Sequence, residues 1–228
     1  MAKKLAVFDW NGTLFDDADE NLIAFNACMR FFNVPEITME QYRDTMDFPL
    51  VHVYARNGVS SDKYLENFDK AAQLYYDEYL PLATKAPLRR GTTDLLDYLL
   101  DDGFDLMILS NQREHDLLDQ VAVRHISHYF KHISGNEAFN PVDFTRMTKH
   151  DRFQTFWDAH DYDPAASFII GDSLEEPEVG KGFGLMTFSV TWGIFSRGRL
   201  LGVHPTAVID ELDEVRHYLE SQKQIKVA

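Results

Sequence analysis

Residues 5 to 17 read LAVFDWNGTLFDD. Leu5, Ala6, Val7 and Phe8 form an apolar run short enough to be a strand buried on both faces, and Asp9 ends it abruptly. A carboxylate therefore stands at a strand's carboxyl end, where open α/β sheets collect their ligands. Asn11, Gly12 and Thr13 follow as a turn whose backbone amides can face an anion, a cradle of about the size of a phosphate.

Beyond this stretch the periodicity is helical. Residues 16 to 33 carry Leu22, Phe25, Met29 and Phe32 on one face, and residues 38 to 57 hold two shorter helical pieces broken near Phe48 and Pro49. Residues 62 to 80 repeat the pattern through Leu65, Phe68, Ala72, Tyr75 and Tyr79. From Gly91 the character changes. A helix with Leu95, Leu96, Leu99 and Leu100 closes at Gly103, and strands are expected at 104–109, 131–134, 167–170, 185–190 and 206–209. Helices near 113–123 and 150–160 and a last one with Leu212, Val215 and Leu219 separate or follow them. Strands alternating with helices imply right-handed crossovers and a parallel sheet.

Composition narrows the partners. A net charge of −15 and a pI near 4.9 oppose attraction to nucleic-acid phosphates or anionic lipid, so neither nucleic acid nor membrane is expected as a partner. A phosphorylated ligand would need local neutralisation by a metal ion or a placed Lys. Cys28, the sole cysteine, excludes an intrachain disulfide and fits a reducing, cytoplasmic setting. Lys3 and Lys4 precede an apolar run too short for a signal peptide. A monomer or homodimer is expected.

Three of the expected strands end in polar residues suited to phosphate chemistry: Asp9, Ser110 and Asp172. All carboxyl ends of a parallel sheet lie on one edge, so these residues can share one crevice. At this point the chain resembles the haloacid dehalogenase superfamily, whose signature segments occur in order as DWNGTL (9 to 14), LSN (109 to 111), Lys149 and IIGDSLEE (169 to 176). VTWG (190 to 193) and AVID (207 to 210) further resemble its phosphoglycolate phosphatase branch.

The resemblance implies an α/β fold, a Rossmann-like parallel sheet flanked by helices. Residues 1–15 and 86–228 would form the core and residues 16–85 an inserted all-helical cap. It implies a Mg2+-dependent phosphatase of a small phosphorylated metabolite. Asp9 would be the nucleophile, forming an aspartyl-phosphate. Asp9, Asp172, the Asn11 carbonyl and Glu176 would serve Mg2+, with Glu175 an alternative to Glu176. Thr13, Ser110, Asn111 and Lys149 would meet the phosphoryl group, Lys149 neutralising charge that develops there.

One position departs from the family pattern. Its phosphatases usually carry a second Asp where this chain has Asn11, and that Asp protonates the leaving oxygen and then activates water. General acid–base catalysis contributes about 10² to 10⁴ in rate, roughly 3 to 5.5 kcal/mol of barrier. Two alternatives stay open: a phosphate-binding or phospho-accepting protein of low turnover, and hydrolysis of a carbon–halogen or carbon–phosphorus bond. Asp172 argues against metal-free dehalogenation. In the cap, His52, Arg43, Arg56 and the Asp47-Phe48-Pro49 break are candidates to face the crevice, with Arg89 and Arg90 where the cap rejoins the core; the cap's Tyr and Phe are expected to pack. His125, His128 and His132 are not expected to converge on a metal, because His132 falls in a strand. Asn11 predicts good leaving groups and a slow second half-reaction: quench-flow with an aryl phosphate should show a burst, and a linear onset would contradict it. Asn11→Asp is expected to raise turnover.

Overall fold

The computed structural model describes residues 3–136 and 148–227; residues 137–147 of the expected core lie outside the described part. After β1 (Lys4–Phe8) come α1 (Ala18–Phe31), α2 (Met39–Thr45), α3 (Val51–Arg56), α4 (Ser61–Glu66) and α5 (Phe68–Ala83). The alternating part runs α6 (Thr92–Asp101), β2 (Phe104–Arg113), α7 (Glu114–Val123), β3 (His132–Asn136), α8 (Lys149–Asp158), β4 (Phe168–Gly171) and α9 (Glu175–Phe183). It closes with β5 (Met186–Val190), α10 (Arg197–Gly202), β6 (Ala207–Ile209) and α11 (Asp213–Val227). The six strands pair in parallel in the order β3-β2-β1-β4-β5-β6. The α/β fold is thus as expected. No helix among the described residues is long and apolar enough to cross a membrane.

The continuous apolar runs are explained by what covers the two faces. In β1, Ala6 and Phe8 join one cluster with Leu96 and Leu99 of α6, Leu117 and Val121 of α7 and Val215 of α11. Leu5 and Val7 point the other way, toward Phe153 of α8 and Val179 of α9. Period two along the strand therefore distributes apolar side chains to both faces instead of separating apolar from polar. Phe168 of β4 sits at the centre of the first cluster, with edge-to-face contacts to Phe8, Phe104 and Phe188 at 6.0, 5.6 and 5.4 Å between ring centroids.

Helices α1–α5 bury their own faces in another cluster, in which Phe25, Cys28, Met29 and Phe32 of α1 meet Tyr42, Val53, Tyr54 and Tyr64; Phe195 and Leu200 from beyond β5 join it. The single helix expected over 62–80 is two helices meeting at Asn67, whose amide donates to the Lys63 carbonyl at 3.0 Å. The offset lets Tyr64 and Phe68 both reach this cluster, ring to ring at 5.8 Å. The break near Phe48 and Pro49 falls between α2 and α3, as the sequence indicates.

The two crossings between the helical segment and the sheet run side by side. Asp16 N donates to Pro87 O at 3.0 Å and Arg89 N to Leu14 O at 2.9 Å. Arg124 of α7 fastens them, its guanidinium on the Ala83 and Ala86 carbonyls (2.8 and 2.7 Å) and 4.1 Å from the centre of the Phe15 ring. Phe168→Ala should cost about 3–5 kcal/mol of stability, read from the denaturant midpoint at constant m; a loss below about 1 kcal/mol would mean the ring is not at the core's centre.

Candidate active site

The sheet order brings the expected residues together. β1 lies between β2 and β4, with Phe8 opposite Ile108 on one side and Ile170 on the other. Asp9 is one residue past this level, and Ser110 and Asp172 are two past it on the flanking strands. Asp9 N donates to Ile170 O at 2.9 Å, extending the ladder to Asp9 itself. Lys149 arrives from β3's side of the chain as the first residue of α8. A capping box sets it there: Asp151 N donates to Thr148 Oγ1 (3.1 Å) and Thr148 N to Asp151 Oδ2 (2.9 Å).

Asp9, Asn11, Ser110, Asn111, Lys149, Asp172 and Glu175 all line one cavity of about 160 Å³ between the sheet edge and the helical segment. Lys149 Nζ lies 3.2 Å from Asp9 Oδ1 and 2.5 Å from Glu176 Oε1. Burial alone would lower the Lys149 pKa, but Asp9 and Glu176 hold the ammonium charged and raise it. Burial raises Asp9 to about 7, Lys149 opposing and Glu176 adding to the shift. Asp172 is pushed well above the usual carboxylate range by burial, then by Asp9 and Glu176. These two carboxylates are thus crowded, and the only lysine in contact is shared with a third acid.

Each side chain has a distinct support. Asp9 Oδ1 takes Trp10 N at 2.8 Å as well as Lys149, leaving Oδ2 for a reacting partner. Asp172 Oδ2 accepts Ile194 N at 2.7 Å. A Cβ on Gly12 would sit 2.4 Å from that oxygen and one on Gly193 only 2.0 Å, so two glycines wall Asp172 in; Gly12 is also left-handed, at φ +68°. Ser110 Oγ accepts Gln112 N at 3.1 Å, which keeps its own proton for a ligand. Arg152 braces the Ser110 carbonyl at 2.9 and 3.0 Å, and Asn111 Nδ2 donates to Glu175 Oε2 at 2.5 Å.

Two of the expected residues have protein partners of their own in this geometry. Thr13, expected at the phosphoryl group, is fully buried with its hydroxyl 3.5 Å from Asp172 Oδ1, and it supports that carboxylate instead. Glu176, expected at the metal directly or through water, has Oε1 on Lys149 and Oε2 on Ser173 N (3.1 Å) and Oγ (2.7 Å). Lys149 and Ser173 more than offset burial and lower its pKa, so it anchors the lysine as an ionised base. Glu175, the alternative, lines the cavity. No group of three or more His, Cys, Asp or Glu among the described residues is arranged to hold a metal, the three histidines included.

Of the cap candidates, Phe48 of the 47–49 break lines the cavity and the charged ones do not. Arg43 donates to the carbonyls of Gly193 and Trp192 (2.7 and 2.9 Å), Arg56 pairs with Asp47 at 2.5 Å, and Arg89 lies over the Trp192 ring at 4.4 Å. His52 and Arg90 are exposed. The aromatic residues expected only to pack, among them Phe25, Tyr42, Tyr54 and Tyr64, also form the cavity wall.

Asn11 belongs to a network absent from the sequence reading. Its Nδ2 donates to Asp17 Oδ2 and to the Tyr79 hydroxyl, both at 2.7 Å. Asp17 is fully buried, and it also accepts Gly12 N (2.8 Å), the Tyr79 hydroxyl (2.6 Å) and Asn21 Nδ2 (2.8 Å). Burial raises the Asp17 pKa against the pull of these donors. An amide at position 11 therefore satisfies a buried carboxylate six residues on.

In sequence and in fold the chain is similar to known proteins. Residues 6–190 match the model of the family described as haloacid dehalogenase-like hydrolase. The phosphoglycolate phosphatase of Vibrio parahaemolyticus is 23% identical over 223 residues, covering 93% of this chain and 94% of its own. Among solved structures, the haloacid dehalogenase-like protein SP0104 of Streptococcus pneumoniae superposes with a TM-score of 0.76 at 25% identity, over 95% of this chain and 98% of its own. The HAD-hydrolase YfnB of Bacillus subtilis, in a magnesium-bound form, gives a TM-score of 0.64 at 21% identity over 96% and 99%.

The Asn11 network changes what a single exchange does. Asn11→Asp sets a second carboxylate against Asp17 and should cost about 2–4 kcal/mol at neutral pH, the scale of a buried unpaired charge. Asp17→Asn in the same chain should recover most of it, and thermal melts through the double-mutant cycle measure the coupling. Additive effects would show that the two residues do not interact.

Proposed function

We propose that this chain, which belongs to the haloacid dehalogenase-like hydrolase family, is a phosphatase that hydrolyses a small phosphorylated metabolite through an aspartyl-phosphate on Asp9. The observation that carries the reading is the meeting of Asp9, Ser110, Lys149 and Asp172 in one cavity from four separate segments. We assign residues 1–15 and 86–228 to the core and 16–85 to the cap, in line with the separate hydrophobic cluster of α1–α5.

The residues fit a resident Mg2+. Asp9 and Asp172 are buried carboxylates whose pKa burial raises, Asp172 further by the charge of Asp9, and a hard cation takes such oxygens with a backbone carbonyl, here that of Asn11, and waters. When bound, Mg2+ supplies the positive charge that ionises both acids and offsets the charge of the phosphoryl oxygens. Asp9 attacks phosphorus as the ester P–O bond breaks, and the leaving oxygen departs with the bonding pair. Lys149 and the Ser110 hydroxyl stabilise the transferring group. Water then cleaves the acyl phosphate, returning Asp9 and inorganic phosphate.

Neither proton transfer has a side-chain acid at position 11. Asn11 Oδ1 accepts a hydrogen bond from water without taking its proton, so it orients the second step and leaves it slow. The branch the curated relative belongs to suggests phosphoglycolate as one substrate to try. A phosphomonoester panel with and without Mg2+ tests the whole reading. Asp9→Asn should lower kcat by about 10³-fold or more and EDTA should abolish turnover reversibly; near-parental turnover in the variant would end the assignment. Asn11→Asp paired with Asp17→Asn should raise turnover above the parent, where Asn11→Asp alone is held back by its lost stability.

A further inference from the structure

The cavity continues away from Asp9 into the helical segment, and its wall there is aromatic: Phe25, Tyr42, Tyr54, Tyr64 and Phe68, with Phe48 about one-third exposed at the rim. Its charge is equally distinctive. Among the described residues that line it, Lys149 is the sole base, and it is already engaged by Asp9 and Glu176; Asp172 and Glu175 face the same space. Arg43, Arg56, Arg89 and His52, the cap groups able to receive a second anion, lie elsewhere. The whole cavity, phosphoryl end included, is about 160 Å³, on the scale of the engineered apolar cavity of about 150 Å³ that binds benzene, so it suits an alcohol no larger than a single small ring.

Resting on the phosphatase reading above, we infer that the substrate is a phosphate ester of an uncharged aromatic alcohol, its ring held between α1 and the α3–α5 helices, and that a carboxylated ester such as phosphoglycolate is disfavoured. A ring seats against Phe25, Tyr54 and Tyr64 by offset or edge contacts, whereas a carboxylate would enter an apolar wall beside Asp172 and Glu175 with no free base to meet it among the described lining residues. The chemistry at position 11 agrees independently. A phenolate, conjugate to an acid of pKa about 10, leaves without being protonated, while an alkoxide nearer the 15.7 of water does not. The missing acid thus costs an aryl ester little in the first step, in which the P–O bond breaks and the phenolate later takes a proton from solvent.

Binding of unreactive phosphonates separates the cavity from catalysis. Isothermal titration of the Mg2+-loaded full chain should give phenylphosphonate about tenfold or more tighter than ethylphosphonate, and phosphonoacetate weaker than ethylphosphonate. Leu50→Arg, which adds a base to the cavity wall, should strengthen phosphonoacetate and weaken phenylphosphonate. Phosphonoacetate binding as well as or better than phenylphosphonate in the parent overturns the inference. So does inorganic phosphate binding while phenylphosphonate does not, with the phosphatase reading intact. If neither binds, both readings fall.

Discussion

The structure depends on how it keeps several carboxylates under cover at one sheet edge. Asp9, Asp172 and Glu176 are each less than a tenth exposed, with Glu175 beside them, and burying an ionised carboxylate costs several kcal/mol unless it is matched. Lys149 matches two of them, Asp9 and Glu176, through a nitrogen that is itself buried. Among the described residues, Asp172 has only backbone and hydroxyl donors. That excess of negative charge suits the proposed divalent cation, whose charge would offset that of a phosphate dianion at the edge of an acidic protein. The aromatic helical layer follows from the same constraint, since a low-dielectric cover strengthens every charge interaction beneath it.

Much of this was legible because it is carried by strands. A four-residue apolar run ending at Asp9 announces both a doubly covered strand and a polar residue at its tip, and the same logic applies to Ser110 and Asp172. Helix existence was legible too, but not the step at Asn67, which depends on Tyr64 and Phe68 each finding the cap cluster. What the sequence did not disclose are the partners chosen in three dimensions. Thr13 looks like a phosphate ligand until its hydroxyl is seen turned to Asp172. Glu176 looks like a metal ligand until both its oxygens are found engaged. The aromatic residues of the cap carry helical spacing whether they fill a core or line a hollow, and here they do both. Gly193 gave only a resemblance, because the need for a missing Cβ comes from a side chain 21 positions earlier.

Asn11 shows how a departure from a family pattern becomes intelligible once its surroundings are known. Viewed alone it removes an acid from the reaction. With Asp17 and Tyr79 in place, a buried carboxylate stands six residues along the chain, and the amide is one of the donors that keep it satisfied. The loop from Asp9 to Asp17 is thereby closed on itself through Gly12 N and Asn11 Nδ2, so a group lost to proton transfer serves the rigidity of the nucleophile's own turn.

The loop of residues 192–195 touches both layers of the molecule. Its Gly193 presses on Asp172, its Trp192 indole donates to Thr13 O at 3.1 Å, its carbonyls receive Arg43 from α2, and its Phe195 is buried among the cap helices. A swing of the helical layer is therefore not mechanically independent of the metal-side acid: the same few peptide units act as tendon and as socket. Any lifting of that roof would tug the floor, because Asp172 Oδ2 is held by the Ile194 amide of the same stretch.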